Sequence, residues 1–371
     1  MLRCTVILFK RRGAGIVGLP NIGKSTLFNA LTCSQQAKTG NFPFCTIDAN
    51  LARVPVYDER LRKLAAFTGA QKIVDVEVDL ADVAGLIAGA SKGEGLGNKF
   101  LNDIRPCNII LHLVRCFESA KDGFDAPHPL DDIAVIMNEL VLSDLELMEK
   151  RHSKLARAKK SSDPEVLFSK KVVDWLTEGK PVKDLPLAKA QHALEASWVK
   201  EFDLLSSKPM LYVLNVDDES VKTGNSFSKI VEDAFGNDNT VRVSAAIEEQ
   251  TSQMGNREER MEFLKAYDIE VPSADVLMAR VHKMLDLQSF FTVGPLMAHG
   301  WSVKRGATAK EASGEIHGDF EKHFLSAKVS RWDTFLTRAN LASAELMMEG
   351  VGEKYVMQDG EVFIVQHDAR K

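Results

Sequence analysis

Eight residues near the start of the chain carry the clearest chemistry. Gly18-Leu19-Pro20-Asn21-Ile22-Gly23-Lys24-Ser25 fits GxxxxGK[ST] at every fixed position. Glycines let backbone N–H groups curl around phosphate oxygens, a lysine at position 24 reaches the β- and γ-phosphates, and the Ser25 hydroxyl is a ligand for Mg²⁺. An apolar stretch, Ile16-Val17, precedes the turn, and Ser25 to Leu31 has helical spacing, so the helix's positive N-terminus faces the same anion. The string implies a nucleoside-triphosphate site. Asn21, Ile22, Gly23, Lys24, Ser25 and Thr26 are its candidate phosphate residues.

Two further parts of a nucleotide switch follow in order. Asp82-Val83-Ala84-Gly85 ends an acidic strand and fits DxxG: Asp82 would hold Mg²⁺ through water, and the Gly85 N–H would sense the γ-phosphate. Thr46 lies between the two motifs and is the candidate threonine that closes over the metal. After DxxG, Ras-like enzymes place a glutamine that orients the attacking water; here the residue is Leu86. Leucine neither donates nor accepts a hydrogen bond. Hydrolysis is therefore slow, or another group positions the water.

A base pocket is expected after the strand Met210 to Leu214, which runs into Asn215-Val216-Asp217-Asp218. Asn215 and Asp218 keep the NxxD spacing of guanine-reading loops, but valine replaces the lysine that would pack along the base. An inward Asp218 suits guanine; facing adenine N1, it would be repelled. Ser244-Ala245-Ala246 is the expected second base-contact loop.

The surrounding elements read as α/β. Ile109 to Val114, Met210 to Leu214 and Thr240 to Ser244 are strand-like, and Val74 to Leu80 alternates apolar with acidic residues. From Glu139 to about Lys160, Val141, Leu145, Met148 and Leu155 keep a heptad rhythm, with His152 at an intermediate seam position. Breaks at Ser161-Ser162-Asp163-Pro164 and Gly179-Lys180-Pro181 make 139–205 a helical hairpin inserted into the α/β domain. Its basic run, Lys150 to Lys160, suits either a solvated face or an RNA contact. After about Asp286, strands at Phe290 to Gly294, Ala298 to Lys304 and Ser326 to Trp332 precede an expected hairpin over Tyr355 to Val365, turning at Asp359-Gly360. The domains expected are therefore 1–138 and 206–286 for nucleotide, 139–205 for the arm, and 287–371 for a small α+β unit.

Composition bounds the class. With 371 residues, 45% hydrophobic and a net charge of −5, the chain has core enough for several domains and does not bind nucleic acid by bulk charge. No apolar run approaches the ~20 residues that span a bilayer. The five cysteines are odd in number and form no CxxC pair, which indicates free thiols in a reducing, cytoplasmic setting. The basic start, Arg3 with Lys10-Arg11-Arg12, reads as domain sequence more than as a targeting leader.

Several strings together resemble the Obg-like ATPase family, the YchF group of P-loop GTPase-related proteins. They are Gly15-Ile16-Val17-Gly18-Leu19-Pro20-Asn21, Asn41-Phe42-Pro43-Phe44-Cys45-Thr46-Ile47-Asp48, Gly89 to Asn98, Leu287 to Gly294 and Asp319-Phe320-Glu321-Lys322. The resemblance implies a nucleotide domain, an antiparallel helical arm and a C-terminal TGS domain of β-grasp form. It implies Mg²⁺ at Ser25 and Thr46, adenine at Asn215 and Val216, and slow ATP hydrolysis in a monomeric, ribosome-associated switch, on the large subunit, with no membrane. The family's hydrophobic residue after DxxG matches Leu86. Asp218 stands where the family has Glu, which leaves GTP open. The family's proposed catalytic histidine belongs in the loop Glu118 to Leu130, which is short here and offers only His128. The alternative reading of the chain is a ribosome- or RNA-binding factor that uses nucleotide mainly as a conformational ligand.

Overall fold

The computed structural model describes residues 12–36, 51–82, 101, 103–118 and 126–367. Its first sheet has six strands: β1 (Arg12–Val17), β2 (Leu51–Val56), β4 (Val76–Asp82), β5 (Cys107–Cys116), β6 (Met210–Val216) and β7 (Thr240–Val243), in the order β2-β4-β1-β5-β6-β7. The pairs β4-β1, β1-β5, β5-β6 and β6-β7 are parallel, and β6 is buried along its whole length. That explains its near-continuous apolar sequence, since a central parallel strand is covered on both faces. One face packs Ile110, Val114, Tyr212 and Leu214 against Ile133, Ile136 and Leu140 of the helix Pro129–Ala158 and Val231 of the helix Ser226–Phe235.

The helix Pro129–Ala158 moves a boundary. It runs for 30 residues without a break, so the arm's first helix begins ten residues before the expected position at 139. Ile133, Ile136 and Leu140 seat its first half in the sheet's core; Val141 and Met148 then join Phe168, Val172 and Leu176 of the helix Pro164–Thr177. The break between the two helices falls where the sequence put it: Asp163 caps the second helix by accepting from the Glu165 N–H, and Pro164 opens it. His152 Nδ1 meets the Ser169 hydroxyl at 2.8 Å across the seam. The arm is closed by Asp144, fully buried, which accepts from the N–H groups of Leu205 and Ser206 and from the Ser206 hydroxyl.

Two compact units emerge, and their division corrects the expected one. The first holds the described residues up to Ala52 and those from Asp79 to Val276; the second holds Arg53–Val78 with Leu277 onward. The second unit's sheet runs β11-β10-β12-β8-β9-β3, from β3 (Lys72–Val74), β8 (Leu287–Val293), β9 (Met297–Lys304), β10 (Phe324–Arg331), β11 (Glu349–Val351) and β12 (Glu361–His367). Residues 53–78, expected in the nucleotide domain, supply both the edge strand β3, parallel to β9, and the helix Glu59–Thr68. Leu61, Leu64 and Ala65 of that helix are buried with Phe291, Phe335 and Val362. The other face carries the helix Ala309–Ile316 on Phe290, Val329 and Phe363. The strand expected over Val74 to Leu80 is thus two strands in two sheets, parted at Asp75, whose carboxylate is held by Arg62. The hairpin expected over Tyr355 to Val365 does not form. Val356 bridges to Thr308, while β12 pairs with β10 and β8; only the turn at Asp359-Gly360 stands, with Asp359 accepting from the Ser289 N–H and from Arg60.

Candidate nucleotide site

Strand β1 delivers the phosphate loop. Ala14, Ile16 and Val17 are buried between β4 and β5, which fixes where the chain leaves the sheet. Asn21 then takes a left-handed turn at φ 59°, and Gly23 another at φ 94°. Glycine is required at position 23 on a second ground: a Cβ there would lie 2.6 Å from Asn215 Nδ2. The helix Lys24–Gln36 starts at once, with Ile22 buried behind it and Asn21 and Ser25 exposed. Lys24 is 7% exposed and its ammonium donates to the Leu19 carbonyl at 2.5 Å. Burial lowers its pKa, and the nearby Asp82 carboxylate works against that shift.

Asp82 ends β4 opposite Ile16 of β1, so the sheet register itself brings its carboxylate to the phosphate loop. Burial raises the Asp82 pKa; the Lys24 charge and a hydrogen bond from the Ser25 hydroxyl pull it back. A hydroxyl and a carboxylate, both hard oxygen donors, converge beside the phosphate loop. They fit Mg²⁺. Ser25 would ligate it and Asp82 would hold it through water, the ion supplying positive charge to the β- and γ-phosphate oxygens.

The base side is a braced corner. Asn215, at the end of β6 and 4% exposed, donates to the Ile22 carbonyl at 2.9 Å and accepts from the Ala245 N–H at 3.0 Å. It ties the phosphate loop to the Ser244-Ala245 loop. Ser244 caps the helix Ala245–Ser252, accepting from the Ile247 N–H, and its hydroxyl meets Asp218 Oδ1 at 2.5 Å. Asp217 is consumed elsewhere: its oxygens accept from the Ser220 hydroxyl and the Asn225 amide. Val216, expected at the base, is 2% exposed and packs in the core under the sheet, paired in register with Cys116. Strand β6 extends two residues past Leu214, and that extension buries it.

Two site features were hidden in the sequence. The Leu19 carbonyl, which holds Lys24, carries no side-chain signal. The bond between Ser244 and Asp218 joins residues 26 positions apart and follows only from the β6-β7 pairing. Thr46, Gly85 and Leu86 lie outside the described residues. His128 is the exposed N-cap of the helix Pro129–Ala158, makes no side-chain cap bond, and adjoins Asp132, with no bond to a phosphate-loop residue among the described ones. No cluster of three or more His, Cys, Asp or Glu able to hold a metal occurs among the described residues.

Comparison with known proteins gives the family and the fold. Residues 13–151 match the family model described as 50S ribosome-binding GTPase, and residues 287–368 match the C-terminal model of YchF GTPases, described as a protein of unknown function. A Bacillus subtilis protein named ribosome-binding ATPase YchF is 39% identical over 363 residues, covering 94% of this chain and 97% of the relative. The chain belongs to the YchF family. A Haemophilus influenzae YchF, named in the same way, is 38% identical over 357 residues with the same coverage. The solved Schizosaccharomyces pombe YchF GTPase superposes with a TM-score of 0.81 at 28% identity, over 96% of this chain and 98% of that one. The expected P-loop α/β domain with a helical arm and a C-terminal α+β domain is the YchF fold. Among the described residues no helix is long and apolar enough to cross a membrane.

Proposed function

We propose that this chain is a slow, Mg²⁺-dependent nucleoside-triphosphate hydrolase, with ATP preferred over GTP, that works as a monomeric, cytoplasmic, ribosome-associated switch in translation and stress responses. The observation that carries the hydrolase is the convergence of Lys24, Ser25 and Asp82 at the end of β1. The ribosome and ATP enter from the names of its relatives, and the large subunit from the family model over residues 13–151.

The chemistry is positioning and charge. The Lys24 ammonium, resting on the Leu19 carbonyl, shifts to the β- and γ-phosphate oxygens and stabilises the charge that builds on them as the terminal bond breaks. Backbone N–H groups at the start of the helix Lys24–Gln36 add donors along the phosphates. Thr46 would be a ligand for the metal, and the Gly85 N–H would be a donor to the γ-phosphate. No described residue is placed as a general base, and Leu86 cannot orient water, so turnover without a partner is slow. His128 is the remaining candidate from the sequence for that role.

The test is phosphate release from ATP by the purified chain with Mg²⁺, with and without ribosomes, beside Lys24→Ala. Slow turnover that ribosomes stimulate, and that falls by about a hundredfold or more in Lys24→Ala, is the expected result. Nucleotide-dependent ribosome binding with no turnover above that of Lys24→Ala would favour the conformational-ligand reading, which Leu86 supports.

A further inference from the structure

We propose that Glu248 is a positioning residue for nucleotide binding: a buried carboxylate that holds the helix Ala245–Ser252, and with it the corner made by Asn215 and Ala245, against the phosphate loop. The proposal rests on the nucleotide-hydrolase reading above and adds to it a residue one helical turn behind the site.

That helix needs holding. It is eight residues long, and helices shorter than about 12–15 residues are marginal in water on their own hydrogen bonds. Its apolar footing is small, with Ile247 packed on Leu264 and Ile269. Its first turn is nevertheless set with little tolerance. The Ala245 N–H donates to Asn215 Oδ1 at 3.0 Å, and Asn215 donates in turn to the Ile22 carbonyl. On the other side there is no slack, since a Cβ placed on Gly23 would lie 3.4 Å from the Ala245 Cβ. A slip of about 1 Å therefore either breaks the brace or drives Ala245 into the phosphate loop.

Glu248 supplies the missing hold. It is 1% exposed, and its Oε1 accepts from the Ser273 hydroxyl at 2.6 Å and from the Ala274 N–H at 3.0 Å. Its Oε2 accepts from the Arg260 guanidinium at 2.5 Å. These donors stand on two other helices, Arg257–Lys265 and Ser273–Met284. The Ala274 N–H belongs to the first turn of its helix, where amides lack an intrahelical partner, and Pro272 before it has no side-chain acceptor. Glu248 thus caps that helix from outside. Arg260 in turn is engaged by Glu248 alone, for its buried Nε has no hydrogen-bond partner among the described residues.

Stability by itself does not call for such an arrangement. Taking two charges out of water offsets much of their attraction, and well-packed apolar residues of similar volume are often as stable or more so. An apolar pair lacks direction, whereas a carboxylate plane facing a guanidinium and two further donors admits one geometry. Glu248 accordingly fixes where the helix Ala245–Ser252 starts, and so where Ala245 meets Asn215. The competing account is that Glu248 only holds the fold.

The paired substitution Glu248→Met with Arg260→Met separates the two accounts, since it removes the polar network and keeps most of the volume. The full-length variant with Mg²⁺ would be titrated with non-hydrolysable analogues of ATP and GTP. Its thermal transition would be recorded, and its KM and kcat for ATP measured with ribosomes present. We expect a thermal midpoint at or above that of wild type, with both analogues bound about tenfold more weakly. The ratio between the two analogues should stay within about twofold, because a helix is held and no base is read. In turnover the loss should fall on KM more than on kcat. Ser273→Ala removes one donor and leaves the ion pair; it should weaken binding severalfold, and it decides the matter where the paired variant does not fold. Wild-type affinity in the folded variant overturns the proposal, and so does affinity that falls only in step with the thermal midpoint. If the folded wild-type chain binds neither analogue, the hydrolase reading fails as well; wild-type binding that the variants leave unmoved removes the role of Glu248 alone.

Discussion

His112 shows what a single residue can hide. It lies in β5 between Val17 of β1 and Tyr212 of β6, directly beneath the point where the chain leaves the sheet for the phosphate loop. It is 1% exposed, and its Nδ1 has no hydrogen-bond partner. Burial alone drives its pKa down to about 3, so the ring is neutral in the folded protein at every ordinary pH. The unfolded chain titrates near the usual histidine value of about 6.5 and so takes up a proton that the folded chain refuses. This group's contribution to stability is therefore whole above about pH 6.5 and falls steadily as the pH drops toward 3. Between pH 7 and pH 5 the loss is about 2 kcal/mol. His112→Phe keeps the ring and removes the titration. Urea midpoints at the two pH values should show the variant losing less stability than wild type by about that amount. Equal acid losses in the two proteins would mean that His112 is protonated or hydrated in the folded state. The sequence placed His112 in a buried strand but said nothing of its protonation, which depends on neighbours from two other strands.

Elements were legible where one local pattern decided them, and misread where a distant partner did. The phosphate loop, the strands β5, β6 and β7, and the break at Asp163-Pro164 each stand on their own residues. The stretch 53–78 does not. Its strand and helix propensities are plain, yet which core they join is decided by β9 and by Phe291, Phe335 and Val362, more than two hundred positions away. Arg60 adds a charge contact in the same unit, to Asp359 at 2.7 Å. The helix Glu59–Thr68 is for this reason predicted to be part of the C-terminal domain's folding unit. Leu64 is fully buried there, and Leu64→Ala should cost about 2–5 kcal/mol. Hydrogen exchange locates the damage: amides of β8 and β12 should exchange faster, while those of β5 and β6 keep wild-type protection. Faster exchange confined to β5 and β6 would return the helix to the nucleotide domain. The base side is legible only in part for a related reason, with Val216 buried in the core instead of facing a base. Asn215 and Asp218 were visible by spacing, but their roles as brace and as Ser244's acceptor depend on β6 lying beside β7.

Charge is distributed over the whole molecule against its average. The chain carries a net charge of −5, yet the far half of the helix Pro129–Ala158 and the turn after it hold Lys150, Arg151, Lys154, Arg157, Lys159 and Lys160. Three of these are neutralised locally: Lys150 by Glu146, Arg151 by Glu201 and Lys159 by Glu165. Lys154, Arg157 and Lys160 are exposed and have no acidic partner among the described residues. A basic last turn favours the helix dipole by only about 0.3–1 kcal/mol, which does not call for three unpaired cations. Contact with the phosphates of ribosomal RNA would use all three. Each phosphate neutralised contributes about 0.7–0.9 to the slope of log K against log salt. The triple charge reversal Lys154→Glu, Arg157→Glu, Lys160→Glu should weaken ribosome binding and flatten that slope by about two to three, while ATP affinity in the absence of ribosomes stays at wild type. Reversing Lys170, which is already paired with Asp174 on the second arm helix, should change the slope by less than one such increment. If the triple variant binds ribosomes with an unchanged slope, the arm's basic end is a solvated face and the ribosome is held elsewhere on the chain.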